Sequence, residues 1–409
     1  MPSGCEQIVA DTMDAKSSSP VTLRCVKRLD GCGSIAVRHG PSLPRNTKVN
    51  QMTRDYSQLW PSKGSDDLQQ RKRSQLEILG WKPFFSQQLS LDDLAAASPV
   101  RVTEVHRTGL HVLGEGIDAI VPPGLDATVG DWLLYDANQP THSRLLERTS
   151  LFERRAAGTG RKRQLIAANV DTVFIVSSCN RDFNVARLER YVAMAFEAEV
   201  TPVILLTKAD LCDDPAPYVE AARAISDRVT VEALNALSDE PIDRLAPWCK
   251  PGQTVAFLGS SGVGKSTLVN TLLNESVADT AAIRDDDSKG RHTTSRRQLH
   301  FSPDGCAVLD TPGMRELQLT DVETGIADVF SDLADLASQC RFRDCQHDSE
   351  PGCAVQAALA RGDIEPSRYA RWHKLAAEER FNSASLTERK AGDKSLRKMI
   401  RAVQKKNKK

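Results

Sequence analysis

The chain has 409 residues, with 54 Lys and Arg balancing 54 Asp and Glu, and 40% of it is hydrophobic. That length allows two or three domains, with cores that need no disulfides. The balanced charge excludes any argument from net charge for a nucleic-acid or membrane partner. No apolar run reaches the roughly 18 residues of a membrane span. Residues 1–16 hold acids and no apolar core, unlike a signal peptide. Of ten cysteines, three fall between Cys340 and Cys353. This pattern suits a reducing, cytoplasmic setting and a metal site better than a disulfide framework.

Residues 1–74 have no sustained periodicity and carry Ser17-Ser18-Ser19-Pro20 and Arg71-Lys72-Arg73, so they read as a disordered extension. Residues 75–160 begin with apolar side chains (Leu76, Ile78, Leu79, Trp81, Phe84, Phe85) suited to packing on the segment after them. Short alternating runs then come at Val100–Val105, His111–Leu113, Ala119–Val121 and Asp131–Tyr135, with Gly/Pro turns between them. They predict a small all-β domain, and a five-stranded OB-type barrel fits the length. Arg154, Arg155, Arg161, Lys162 and Arg163 read as a basic linker.

Residues 161–324 alternate buried strands with helical patterns, which predicts a mostly parallel α/β sheet. The strands are Thr172–Val176, Pro202–Leu206, Val229–Ala233, Thr254–Leu258 and Cys306–Leu309. Helices are expected over Leu188–Phe196, Tyr218–Ser226 and Pro241–Trp248. Residues 325–388 are mainly helical, and Tyr369, Trp372, His373 and Ala376 share a face that reads as core. Residues 389–409 form a tail with ten Lys and Arg and a single acid.

The α/β region carries the chemistry. Gly259-Ser260-Ser261-Gly262-Val263-Gly264-Lys265-Ser266-Thr267 lies between a strand and a helix, as a P-loop requires. Its glycines let backbone N–H groups turn toward phosphate oxygens. Lys265 would reach the β/γ-phosphates and Ser266 would bind Mg²⁺. Thr207-Lys208-Ala209-Asp210, just past a strand, resembles the N-K-x-D motif that reads guanine in GTPases. Asp210 would accept the base's two donors, and Lys208 would lie over the base. Thr207 replaces the usual Asn and lacks its amide donors, which predicts weaker hold on the base.

Asp310-Thr311-Pro312-Gly313 resembles D-x-x-G, with Asp310 holding Mg²⁺ through water and the Gly313 N–H sensing the γ-phosphate. Lys289-Gly290-Arg291-His292-Thr293-Thr294 fits a first switch, with Thr294 (or Thr293) on Mg²⁺. Met314 stands where a Gln would orient the attacking water, so His292 is the candidate catalytic group beside Lys265. The guanine motif precedes the P-loop, which implies a circular permutation. Cys340, Cys345, His347 and Cys353 match a closed, structural Cys₃His zinc site.

These motifs, in this order, resemble the circularly permuted GTPases called ribosome small subunit-dependent GTPase A, over about residues 75–385. The resemblance implies an OB domain and a C-terminal zinc domain flanking the GTPase, both in contact with ribosomal RNA. It also implies a monomer that binds GTP and GDP with Mg²⁺, carries one Zn²⁺ and touches no membrane. Its activity would be late maturation of the small ribosomal subunit, with hydrolysis stimulated by the subunit. The family's switch-loop His corresponds to His292. Glu232-Ala233-Leu234 stands where a Ser-Ala-type base loop is expected. Alternatives are a nucleotide-gated RNA-binding module with incidental turnover, or a P-loop ATPase.

Overall fold

The structure, a computed structural model, describes residues 73–155, 163–275, 297–310 and 322–383. The expected N-terminal extension, up to residue 72, and the basic tail lie outside the described residues.

Three short helices come first: α1 (Gln75–Ile78), α2 (Pro83–Ser86) and α3 (Leu91–Ala96). Capping boxes start α1 and α3, pairing Ser74 with Glu77 and Ser90 with Asp93. Such reciprocal bonds satisfy amide donors that a helix start leaves unpaired. Leu79 and Phe85 bury against Trp132, Leu134 and Leu146, as the apolar run here predicts. The Trp81 and Phe85 rings lie 4.7 and 5.7 Å from that of Trp132.

Strands β1 (Ser98–His106), β2 (Gly109–Gly114) and β3 (Ile117–Val121) form an antiparallel meander. β4 (Trp132–Tyr135) pairs with β1, and β5 (Arg144–Leu145) pairs with β4. A register shift between Val102 and Glu104 leaves Thr103 as a bulge. Inward residues Val100, Val102, Leu110, Val112, Val121 and Leu133 make this region's core. β6 (Leu151–Arg155) and β7 (Arg163–Ala168) form a separate antiparallel pair. The expected basic linker is therefore corrected at its ends: Arg154 faces Gln164, and Arg155 faces Arg163, across a ladder. Charge density concealed the β pattern there: the buried residues Phe152, Ile166, Ala167 and Ala168 sit next to Glu153-Arg154-Arg155 and Arg163-Gln164.

The α/β region comes next in the chain. Its elements are β8 (Thr172–Ser178), α4 (Val185–Glu197), β9 (Thr201–Thr207), α5 (Ala216–Arg223), β10 (Thr230–Ala233), α6 (Glu240–Leu245), β11 (Thr254–Gly259), α7 (Lys265–Leu273), β12 (Gln298–Phe301) and β13 (Ala307–Asp310). The strand order is β10-β9-β8-β11-β13-β12. All neighbours are parallel except β12 with β13. β8 and β11 are buried at every residue, which is why they read as continuous apolar runs. One face buries Val173 and Ile175 against α4, and the other buries Phe174 and Phe257 near Leu268 of α7.

Helices α8 (Glu323–Val329), α9 (Ser331–Ser338), α10 (Ala354–Arg361) and α11 (Pro366–Ser383) complete the described chain. α8 packs on α4 at close range. A Cβ on Gly325 would lie 2.0 Å from the Ala193 carbonyl oxygen, so only glycine fits. The Gly325 N–H donates to Glu197 at 2.8 Å. α11 lies along the same helix, with Arg371 Nε 2.9 Å from both oxygens of buried Glu189.

One side chain joins the N-terminal helices, the β region and the α/β sheet. Arg101 on β1 is 1% exposed. Its guanidinium donates to the Leu79 carbonyl, to Thr254 Oγ1 at 2.8 Å, and to the Gly130 and Asn169 carbonyls at 3.4 Å. Burial pulls its pKa down to about 10, against the pull of Asp171 and Asp131. Asp171 accepts the Thr254 N–H at 2.9 Å and pairs with Lys82. Replacing Arg101 by Leu removes four donor contacts at once and leaves buried oxygens unpaired. Arg101→Leu is expected to lower unfolding stability by about 3 kcal/mol, read from the urea midpoint.

Candidate nucleotide site and metal centre

β11 ends at Gly259, and α7 starts at Lys265. Two glycines make the turn between them possible. At Gly259 (φ 151°) a Cβ would come 2.3 Å from the Val176 carbonyl oxygen. Gly264 caps α7 at φ 96°, in the left-handed region. Lys265 Nζ donates to the Gly259 carbonyl at 2.9 Å and also to that of Ser260. Ser266 and Thr267 come next in the first turn, where the helix dipole favours an anion.

The guanine-type motif meets this loop directly. Thr207 ends β9 and is fully buried. Its Oγ1 lies 2.6 Å from the Val263 carbonyl oxygen and 3.1 Å from that of Ser177. Lys208 adopts a left-handed φ of 58° and donates to the Gly262 carbonyl at 3.0 Å. Asp210 sits exposed in a single 3₁₀ turn over Ala209–Leu211. Thr207 thus does something the sequence did not reveal: it bonds the phosphate loop.

The base-loop expectation needs correcting. Glu232 and Ala233 lie within β10, and Glu232 pairs with Arg244 at 2.9 Å. The turn past β10 is Asn235-Ala236-Leu237, held by the Leu237 N–H on Asn235 Oδ1 at 2.9 Å. Ala236 lies beside the P-loop, within 3.7 Å of where a Cβ on Gly264 would stand. The strand ends at Ala233, where the apolar pattern ends it, so Glu232 belongs to the strand and the loop falls after Leu234. An Asx-type turn at Asn235 was the signal available in the sequence.

Asp310 closes β13, whose Leu309 pairs with Ala256 of β11. Thr207, Gly259 and Asp310 therefore end three parallel strands at one edge of the sheet, where an open α/β sheet binds ligands. His292, Thr294, Gly313 and Met314 lie outside the described residues.

The Cys/His residues also come together. Ligand atoms of Cys340, Cys345, His347 and Cys353 lie within 4.8 Å of one another. His347 Nδ1 is 3.5 Å from Cys340 Sγ and 3.6 Å from Cys353 Sγ, and those two sulfurs are 3.8 Å apart. A tetrahedral Zn²⁺ with bonds of about 2.3 Å to sulfur would separate two sulfurs by about 3.8 Å. The set fits zinc.

Its surroundings suit metal binding too. Ala354 N–H points at Cys340 Sγ, and Gln356 N–H at Cys353 Sγ, each at 3.4 Å. Burial pushes the Cys340 thiol up, but the Ala354 and Val355 amides and the neighbouring thiols bring it below its usual range. Burial pushes the Cys345 thiol up to about 11. Burial lowers the His347 pKa, which favours the neutral imidazole that binds metals. The His347 carbonyl accepts Tyr369 Oη at 2.7 Å and also Gln356 Nε2. The Trp372 ring lies 5.2 Å from the His347 ring. The face of α11 read as plain core thus braces His347 within the Cys/His cluster, and Gln356 is a supporting residue that the spacing did not reveal.

A P-loop bonded to a T-K-x-D turn, on a sheet whose chain order starts at the strand after the D-x-x-G strand, defines a circularly permuted P-loop GTPase. The RsgA GTPase family model matches residues 145–320. A protein of Vibrio parahaemolyticus named small ribosomal subunit biogenesis GTPase RsgA 2 is 50% identical over 331 residues, or 80% of this chain and 92% of that one. A Mesorhizobium japonicum protein named small ribosomal subunit biogenesis GTPase RsgA is 50% identical over 316 residues, 75% of this chain and 91% of that one. The crystal structure of YjeQ from Thermotoga maritima aligns with a TM-score of 0.51 at 25% identity, covering 68% of this chain and 96% of that one. The chain belongs to the RsgA GTPase family, and it is a GTP hydrolase.

Gly264→Ala forces a Cβ into a left-handed turn at the phosphates. GTP affinity is expected to fall about tenfold, measured by fluorescent-nucleotide titration, with a cost of roughly 1–2 kcal/mol from backbone strain.

Proposed function

We propose that this GTPase binds the small ribosomal subunit and assists its late maturation, hydrolysing GTP to GDP and phosphate faster when the subunit is bound. The observation that carries the reading is the direct bonding of the guanine-type turn to the phosphate loop through Thr207 and Lys208. It supports one nucleotide held at both its base and its phosphates. Asp210 accepts the guanine donors. The P-loop from Gly259 to Thr267, including Ser261, wraps the phosphates, and Lys265 draws charge from the β/γ oxygens. Ser266, Thr294 and Asp310 would hold Mg²⁺, which supplies charge neutralisation between the phosphates. Gly313 senses the γ-phosphate. His292 orients the attacking water, because Met314 offers no polar group for it.

We assign the rest by position. The β region within residues 75–160 is an OB-type domain facing ribosomal RNA, residues 161–324 form the GTPase domain, and residues 325–388 form the zinc domain. Cys340, Cys345, His347 and Cys353 would hold a structural Zn²⁺, which cross-links loops too small to bury a core of their own. The Arg154 and Arg163 hairpin and the basic tail add phosphate contacts. Among the described residues no helix is long and apolar enough to cross a membrane. The proposed form is a cytoplasmic monomer.

GTP turnover measured with and without purified small subunits is the deciding experiment. A rise of at least about tenfold is expected, and no rise favours a nucleotide-gated RNA-binding module. Asp210→Asn should lower GTP affinity about a hundredfold and improve XTP binding, since an amide donates where the carboxylate accepted. Equal binding of ATP and GTP by the unaltered protein would instead mark an ATPase. Elemental analysis should find one zinc per chain, lost in Cys345→Ser. A metal-free unaltered protein would refute the zinc site.

A further inference from the structure

We propose that the cleft between α4 and α11 is a second phosphate site, separate from the phosphate loop, and that it takes backbone phosphates of an RNA strand. The proposal rests on the reading of an RNA-containing partner given above and assigns one contact surface to it. The cleft has a volume of about 530 Å³, within the range of ligand sites. None of its lining residues belongs to the nucleotide motifs or to the Cys/His cluster. Ala186 on α4 and Ala370 on α11 line it, and side chains that short leave a gap between the two helices. Most of the remaining lining is charged: Arg187, Glu189 and Arg190 from α4, and Arg371, Lys374 and Glu378 from α11. Four cations thus face two carboxylates.

The pairing decides which sign of ligand the cleft takes. Arg371 Nε lies 2.9 Å from both oxygens of Glu189, and Arg190 pairs with Glu378. Each carboxylate is therefore already matched by an arginine, and an entering anion meets neither one bare. Two cations are left over. The Arg187 guanidinium donates to the Asp182 carbonyl, which carries no net charge. Lys374 is exposed, and its ammonium has no partner among the described residues. Glu189 is 1% exposed, so it stays with Arg371 inside the helix packing and does not reach out to cover Lys374. A guanidinium fork and an ammonium point charge both suit phosphate oxygens. Two unbalanced cations match two successive phosphodiesters, each with one negative charge. A free phosphate ester offers the same chemistry within the cleft. Only a strand can also use the ten Lys and Arg that follow α11 in the sequence, between Arg389 and Lys409.

The test uses the full chain, without nucleotide or subunit. A fluorescein-labelled oligouridine is titrated by anisotropy between about 50 and 200 mM salt. In the double variant Arg187→Gln, Lys374→Gln, RNA affinity is expected to fall about tenfold at the lower salt. The slope of log affinity against log salt should shrink by about 1.4, the value for two single-strand phosphate contacts. Glu378→Gln releases Arg190 and should raise the affinity about threefold, an effect of opposite sign that local misfolding does not produce. Arg361→Gln, at an exposed arginine outside the cleft, should leave both quantities within about twofold of the unaltered protein. Basal GTP turnover and the melting temperature are expected to stay unchanged throughout. An unchanged slope and affinity in the double variant would overturn the proposal. So would an equal loss in Arg361→Gln, which would mean diffuse attraction only. Displacement of the oligouridine by uridine monophosphate at matched ionic strength would assign the cleft to a free phosphate ester and overturn the strand assignment. Should the double variant not fold, Lys374→Gln alone gives the same comparison, with a slope change of about 0.7. Subunit-stimulated turnover by the unaltered chain separately tests the proposed function.

Discussion

A guanidinium with no access to water is costly unless every donor finds an oxygen. Arg101 goes most of the way: four of its five N–H donors reach carbonyls and a hydroxyl drawn from separate parts of the chain. Around it, Asn169 takes a left-handed φ of 55° and donates to Gly130, and its own Oδ1 accepts the Thr149 N–H. Arg148 forks onto buried Asp131 at 2.7 and 2.8 Å. The N-terminal helices, the β region and the base of the α/β sheet therefore share one polar core. It sits where β11 begins, at Thr254, and the phosphate loop sits where β11 ends. A rigid strand joins the two.

The second constraint is the chain order. The pairing β8-β11-β13 brings the ends of strands far apart in sequence to one edge. A permuted chain loses nothing there, because a parallel sheet is assembled from long-range pairs in any case. What changes is the connectivity. The chain leaves the D-x-x-G strand for α8, and Gly325 lets α8 sit against the α4 backbone. α10 and α11 then frame the Cys/His cluster, and Arg371 and Arg190 pair with carboxylates across α4 and α11. The C-terminal helices are thus attached to the GTPase both through the chain and through side-chain packing.

Much of this was legible from residue types. The buried strands announced themselves as β-branched runs, since a parallel strand covered on both faces needs apolar residues throughout. The P-loop and the Cys/His spacing were legible because few residue types can do that chemistry. The misses have a physical pattern. The β6–β7 pair was hidden because its outward positions carry arginines. The base loop lies past Leu234, while the motif comparison sets it at Glu232, a residue of the strand that pairs with Arg244. The Thr207 bond spans 56 residues, and no local spacing reports it. Gln356 and Tyr369 were overlooked for the same reason: they act on a backbone carbonyl, which every residue has.

β1 and β12 share a ladder at Glu104 and Gln298, and Arg297 donates to the Leu165 carbonyl of β7. The chain between α7 and β12 is therefore moored unequally. Its upstream end grows out of the helix that carries Lys265 and Ser266. Its downstream end is paired with β1, its neighbour in the same continuous sheet, and bonded to β7. α7 and β12 thus fasten the two ends of that segment to different parts of the fold, one to the phosphate loop and the other to the N-terminal strands.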